Sequence, residues 1–303
     1  MILDDHFATA IKHLAETTKM TNAEIAHALN CSERSVRRHA GEWKSRMLHR
    51  RSPQEIAGGE RKAFLLFDPH IPYHNSAAYG LAIDYAMAWE PDDVIIGGDF
   101  ADFKDISFWK DAPGRARFPD EINMVRGALK SLRLAFPIQR IVYLEGNHEA
   151  RMARYLFSKA PELYGLPALT IPKLLDLDEL DIQYLSNIDL LTAGQQTFKL
   201  GKLHVLHGHE VKMGWDGVNL ARTMYLKCHN NVLFGHHHQS QQFTFKKLDG
   251  KHEGSWMVGG LCQLSESYMA MNNWVHGFAT VKFNPTTGYF KVRNKIILDG
   301  QVL

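Results

Sequence analysis

An aspartate and a histidine two residues apart, Asp68 and His70, close the first of five short apolar runs that each end in groups able to hold a cation. The other endings are Gly98-Asp99-Phe100-Ala101-Asp102, Gly146-Asn147-His148-Glu149, His207-Gly208-His209 and Gly235-His236-His237-His238. Carboxylate, imidazole and amide oxygen without thiolate suit Mn, Fe or Zn and do not select among them. Two such ions side by side clamp a phosphorus centre, the usual machinery for cutting phosphate esters. Each piece alone has a plainer reading. Gly-Asp-x-x-Asp is often a turn and a helix cap, Asn147-His148 after Gly146 fits turn chemistry, and a histidine triplet can be a metal tract of no catalytic meaning. The series, in order and each after an apolar run, makes chance a poor explanation.

The elements that must position these groups are short. Ala63–Phe67, Val94–Ile96, Ile141–Leu144, Leu203–Leu206 and Val232–Phe234 read as strands buried on both faces. Helical stretches at Ser76–Trp89 and Glu121–Ala135 alternate with them, which argues for an α/β sheet. Strands that finish at one edge of a sheet bring their last residues to a common crevice. In extended chain Asp68 and His70 would point the same way. After Gly235, Gln242–Leu248, Ser255–Val258, Phe278–Phe283 and Tyr289–Ile297 read as antiparallel strands, with Asp249-Gly250 and Asn284–Gly288 as turns. These would form a second sheet packed on the first. Residues 158–192 read as a mostly helical insertion with no assignable role.

Residues 1–52 form a small all-α domain by this reading, 53–61 a linker and 62–303 a catalytic domain. The first segment carries nine Lys and Arg against six Asp and Glu, whereas the rest is one negative charge out of balance. Thr21-Asn22-Ala23-Glu24 is a capping box. Asn30-Cys31 marks a turn, and the next helix carries Arg34, Arg37 and Arg38 on one side. Helix, tight turn and arginine-bearing helix resemble a helix-turn-helix DNA reader. The same layout serves as a packing or dimerisation piece, so DNA contact through these arginines and a homo-oligomer both stand as expectations.

Of 303 residues, 45% are apolar and 22% charged, as in an ordinary globular protein. No apolar stretch approaches the roughly 18 residues of a membrane span. The acidic start Met1–His6 lacks the pattern of a secretion signal. Cys31, Cys228 and Cys262 are too few and scattered for a disulfide framework. The expectation is a cytoplasmic protein that does not engage a membrane.

The five motifs together resemble the calcineurin-like metallophosphoesterase superfamily, whose order is D-x-H, G-D-x-x-D, G-N-H-[D/E], H and G-H-x-H. The resemblance runs from Asp68 to His238. It implies an α/β fold, a four-layer α/β/β/α sandwich of two mixed sheets. It implies two divalent ions, manganese foremost, with iron, zinc or nickel as alternatives. One would be held by Asp68, His70, Asp99 and His238, the other by Asp99, Asn147, His207 and His236, with Asp99 as the bridge. A hydroxide shared by the ions would be the nucleophile. His148 would protonate the leaving oxygen and Asp102 would orient it. His209 and His237, the extra histidines inside the motifs, are expected to support the ligands or face solvent, with ligation the weaker alternative. For substrate contacts the sequence offers Trp109, Arg115 and Arg117 in the segment after Asp102, where cations interleave with aromatics. Arg151 could hold a phosphate oxygen or pair with Glu149. The expected activity is a phosphodiesterase or nuclease acting on nucleic acid or nucleotide phosphoesters. The alternatives are a phosphomonoesterase for phosphoproteins or small metabolites, and a DNA-binding regulator with a decayed esterase domain.

Overall fold

The computed structural model describes residues 59–108, 116–192, 197–213, 218–265 and 272–303. The expected helical domain with Arg34, Arg37 and Arg38 lies outside the described residues, as do Trp109 and Arg115.

Strand β1 (Arg61–Leu66) is buried from Ala63 onward. It starts within the expected linker, because Arg61 is anchored through Nε and Nη2 to the two carboxylate oxygens of Asp93 at 3.0 and 2.8 Å. Helix α1 (Ser76–Trp89) is capped by Asn75, whose side chain accepts from the Ala78 N–H. Its Ala78, Ala82 and Ala86 recur every four residues and let the helix lie close on the sheet. After β2 (Asp93–Ile96), helix α2 (Phe118–Ala135) starts three residues before the expected Glu121. Pro119 is preset for a first turn, and Asp120 and Glu121 suit its positive end. Then come β3 (Arg140–Leu144), α3 (Ala150–Lys159), α4 (Ile171–Leu174), β4 (Ile182–Leu185) and α5 (Asn187–Thr192). The second half holds β5 (Phe198–Leu200), β6 (Leu203–Val205), α6 (Leu220–Cys228), β7 (Val232–Phe234), β8 (Gln241–Lys246), β9 (His252–Met257), β10 (His276–Phe283), β11 (Phe290–Leu298) and β12 (Gln301–Val302).

Seven strands form one mixed sheet in the order β12-β11-β10-β1-β2-β3-β4, and five form the other as β5-β6-β7-β9-β8. The strands are shared out differently from the expectation. β10 and β11 were to join the second sheet, but β10 pairs antiparallel with β1, Ala63 opposite Val281. β6 and β7 lie instead in the second sheet, parallel to each other. Alternating or continuous burial fixes a strand's faces, not its neighbour, so hairpin β10–β11 could have been added to either sheet. Within 158–192, β4 runs parallel to β3 as the edge strand. Its signal is weak because only Ile182 is fully buried.

The core confirms the layering. Phe64, Leu66, Val94 and Ile96 meet Ala82, Val125 and Leu129 of the α1/α2 layer. The alternate residues Leu65, Phe67, Ile95 and Val142 meet Leu203, Val205, Leu233 and Val258 of the second sheet. That sheet's outer face, Val232, Phe234 and Met257, is covered by Leu220 and Met224 of α6. The architecture is therefore the four-layer α/β/β/α sandwich that the resemblance implies. No helix among the described residues is long and apolar enough to cross a membrane.

Candidate metal centre

The pocket straddles both sheets. β1, β2 and β3 deliver Asp68, Asp99 and Asn147 from one, and β6 and β7 deliver His207 and His236 from the other. The loops leaving these strands are stapled in pairs. His70 and Ile71 donate backbone N–H groups to the carbonyls of Asp99 and Phe100 at 3.0 and 2.8 Å, and Gly235 donates to His207 at 2.8 Å. Asp68 and His70 do not reach the pocket through extended chain. Asp68, His70, Asp99, His236 and His238 all have left-handed backbone, with φ between 50 and 67°. Residues other than glycine adopt that region at a cost and cluster there at functional sites.

Two clusters of ligand atoms face inward, Asp68/His70/His238 and Asp99/His207/His236, each within 4.8 Å, and a third group of the same span, His70/Asp102/His148, adjoins the first. In the first, His70 Nε2 and His238 Nε2 are 3.3 Å apart and lie 4.0 and 3.7 Å from Asp68 Oδ1. In the second, His207 Nε2 is 3.2 Å from Asp99 Oδ2, 3.1 Å from Asn147 Oδ1 and 3.2 Å from His236 Nδ1. Asp99 Oδ2 also lies 3.8 Å from His70 Nε2, so one oxygen faces both clusters.

The donor set fits two cations. Asp68 Oδ1 is buried with no hydrogen-bond partner. The proton positions agree. His70 Nδ1 is 3.0 Å from Asp102 Oδ1 and His207 Nδ1 is 3.0 Å from the Gly97 carbonyl, both acceptors only. Each ring is therefore anchored by a proton on Nδ1 and turns Nε2 into the pocket, the arrangement that orients metal-binding histidines. Separations of 3.2–3.3 Å between donor atoms match the edge of a coordination shell with bonds of about 2.1 Å.

Electrostatics point the same way. Burial pushes the Asp68 carboxyl up, but the His238 and His207 imidazoles more than offset it and hold it at about 2. Burial likewise opposes ionisation of Asp99, and His148 and His207 hold it well below the usual carboxylate range. Burial disfavours protonated His207, yet Asp99 and Asp68 raise it to about 10. The pocket thus keeps Asp68 and Asp99 charged and favours protons on His70 and His207, whereas burial lowers His148 and takes His236 down to about 3.

His148 stands beside the ligands. Its Nδ1 lies 2.8 Å from the Asp102 backbone carbonyl and 2.9 Å from Asp102 Oδ1. Asp102 serves two rings, since His70 shares that oxygen. Arg151 does not pair with Glu149. Its guanidinium donates to the Asp102 carbonyl and to His148 Nε2, both at 2.8 Å. His209 and His237 enter neither ligand cluster. The His209 ring lies 5.3 Å from His207, and His237 packs its edge near Phe234. Arg117 is exposed at the start of α2.

Several supporting residues were not singled out from sequence. Glu149 is buried, and its carboxylate accepts from the N–H groups of Asp99, Ala101 and Gly146 and from Tyr143 Oη. Burial, then the neighbouring Asp99, raise its carboxyl to about 7. Glu210 accepts from the His207 and Gly208 N–H groups, and Glu121 accepts from the Phe103 N–H. The acidic residue closing the Gly-Asn-His-Glu motif was the one available signal. Trp274 packs 4.4 Å from the His238 ring, and Cys262 Sγ lies 3.5 Å from its Nδ1.

Fold and pocket define an α/β sandwich with a paired-cation site between the edges of its two sheets. The five motifs that carry the resemblance to the calcineurin-like metallophosphoesterases come together, in order, around one pocket. No family model matches the chain. A similar curated protein is the Gene 54 protein of Mycobacterium phage L5, 25% identical over 232 residues that span 72% of this chain and 88% of that protein. Among solved structures, wild-type Vps29 from Entamoeba histolytica complexed with Zn2+ aligns at 13% identity and a TM-score of 0.40, over 80% of this chain and 96% of that one. A dimetal phosphatase from Danio rerio aligns at 13% identity and a TM-score of 0.36, over 77% and 95%. These are distant likenesses, and what the pocket can do follows from this chain's own side chains.

Proposed function

We propose that the chain is a phosphoester hydrolase dependent on two divalent ions, manganese foremost, acting on nucleic acid or nucleotide phosphoesters. The observation that carries this reading is Asp99 Oδ2, 3.2 Å from one ligand cluster's His207 and 3.8 Å from the other's His70. When bound, the ions supply Lewis acidity to the phosphoryl oxygens and make water a nucleophile at neutral pH.

The side chains of this protein do the rest. Asp68, His70 and His238 would hold one ion, Asn147, His207 and His236 the other, and Asp99 both. His148 is the general acid. Asp102 fixes its Nδ1, and the proton for the departing ester oxygen comes from Nε2. Arg151 sits on that same Nε2. An arriving phosphate offers the guanidinium a charged, bidentate partner. Arg151 then leaves His148 for the substrate, and the freed Nε2, which accepts from the guanidinium in this structure and is held below the usual imidazole range by burial, takes up a proton from solvent to pass to the departing oxygen.

The test is protein loaded with manganese, assayed on bis- and mono-p-nitrophenyl phosphate and then on single- and double-stranded DNA. Turnover of the diester and of DNA supports the reading. Release of phosphate from monoesters or phosphopeptides with DNA untouched replaces it with a phosphomonoesterase.

A further inference from the structure

Helix α3 leaves the pocket carrying more than Arg151. Met152 and Leu156 are its buried contacts. Arg151, Arg154 and Phe157 follow at intervals of three residues, which makes them neighbours along another side of the helix. Arg154 is tied to the pocket. Its Nη2 donates to the carbonyl of Asn147 at 2.8 Å. One turn further, Phe157 is 71% exposed. Its ring meets Tyr164 edge to face, with centroids 5.9 Å apart, and Tyr164 is itself 53% exposed. Two large rings standing together in solvent, one turn along the helix from Arg154, mark an interaction surface.

We propose that Arg154, Phe157 and Tyr164 form a track for single-stranded nucleic acid leading from the metal centre. The proposal rests on the nucleic-acid reading above and adds where the strand lies. Cations nearest the pocket would take the phosphates flanking the scissile one, and the two rings would stack unpaired bases. The charge agrees. Arg151, Arg154 and Lys159 face one acid, Glu162, between Ala150 and Leu166. A duplex keeps its bases stacked and cannot use the rings, so the track selects single strands.

The test compares wild type with Phe157→Ala/Tyr164→Ala, both full-length and loaded with manganese. Both side chains are exposed, and turnover of bis-p-nitrophenyl phosphate reports that pocket and fold persist. The expected result is unchanged diester turnover and, on a single-stranded oligothymidylate, a KM raised by about tenfold or more. Phe157→Trp keeps a stacking face and should keep the wild-type KM. Equal oligonucleotide kinetics in wild type and double variant would overturn the track and leave the nucleic-acid reading standing. A wild type that hydrolyses the small diester but neither binds nor cuts oligonucleotides would remove both. Leu163 and Leu166 are also exposed nearby. A wild-type dimer in sedimentation that the double variant abolishes would make the patch a self-interface and overturn the track.

Discussion

His148 and His207 are both imidazoles at the pocket, yet their surroundings differ. His207 is fully buried between Asp99 and Asp68 with its Nε2 turned inward. His148 keeps an edge toward solvent and Arg151. Replacing His148 with alanine should therefore leave metal content intact while lowering turnover by about 10²–10⁴-fold, the worth of a positioned acid. Elemental analysis beside steady-state kinetics checks both halves, and metal loss in this variant would contradict the division. His207 sets the pH behaviour of ion uptake. Asp99 and Asp68 outweigh burial and raise it to about 10 in the ion-free pocket, so its proton is present below that pH and must leave before Nε2 can bind an ion. Uptake at neutral pH should release protons, and affinity should fall by about tenfold per unit as pH drops. Calorimetry in buffers of different ionisation enthalpy measures this. Uptake without proton release would refute it. The residues that meet in the pocket were legible in the sequence because each closes an apolar run. Arg151's hold on His148 was not, since a three-residue spacing serves Glu149 as well.

The loops that end the strands are elements in their own right, and Glu149 holds three of their N–H groups at once. Removing it leaves those donors buried without an acceptor, at roughly 1–3 kcal/mol each. Glu149→Ala should destabilise the ion-free protein by about 3 kcal/mol or more in urea unfolding, and a loss under about 1 kcal/mol would show that water replaces the carboxylate. Gly146 acts in the same loop by having no side chain. A Cβ there would stand 2.2 Å from Asp99 Oδ1. Gly146→Ala should push the shared aspartate aside and weaken metal binding, read by titration with manganese. Element limits were readable from the apolar pattern of the sequence, as helix α1 and strand β7 illustrate. Strand partners were not. β10 carries the same apolar residues whichever sheet it joins, and its pairing with β1 is decided by contacts more than two hundred residues away in sequence.

Across the whole molecule, the pocket joins two sheets whose contact is otherwise apolar side chains such as Leu65, Ile95 and Leu233. Ions held from both sides would act as a clasp between layers. Ligand at a hundredfold its Kd stabilises by about 2.7 kcal/mol, and a domain of this size shifts by roughly 2–4 °C per kcal/mol. Manganese should thus raise the melting temperature by about 5 °C or more, chelation should reverse it, and His207→Ala, which removes a ligand from one of the two sites, should lessen it. A melting curve indifferent to metal would separate the pocket from the fold's stability.

The left-handed turns at Asp68, His70, Asp99, His236 and His238 have one more implication. Held conformations of this kind cost on the order of 1–3 kcal/mol apiece, and a whole domain is stable by only about 5–15 kcal/mol. The ion-free scaffold is accordingly spring-loaded at the residues meant to grip metal. Glycine, which adopts such turns without a steric cost, would relax the backbone at Asp68 and Asp99 while removing the carboxylates that would grip metal, yielding an inert protein. Heat tolerance and reactivity draw on the same few backbone angles here, so selecting this chain for one should erode the other.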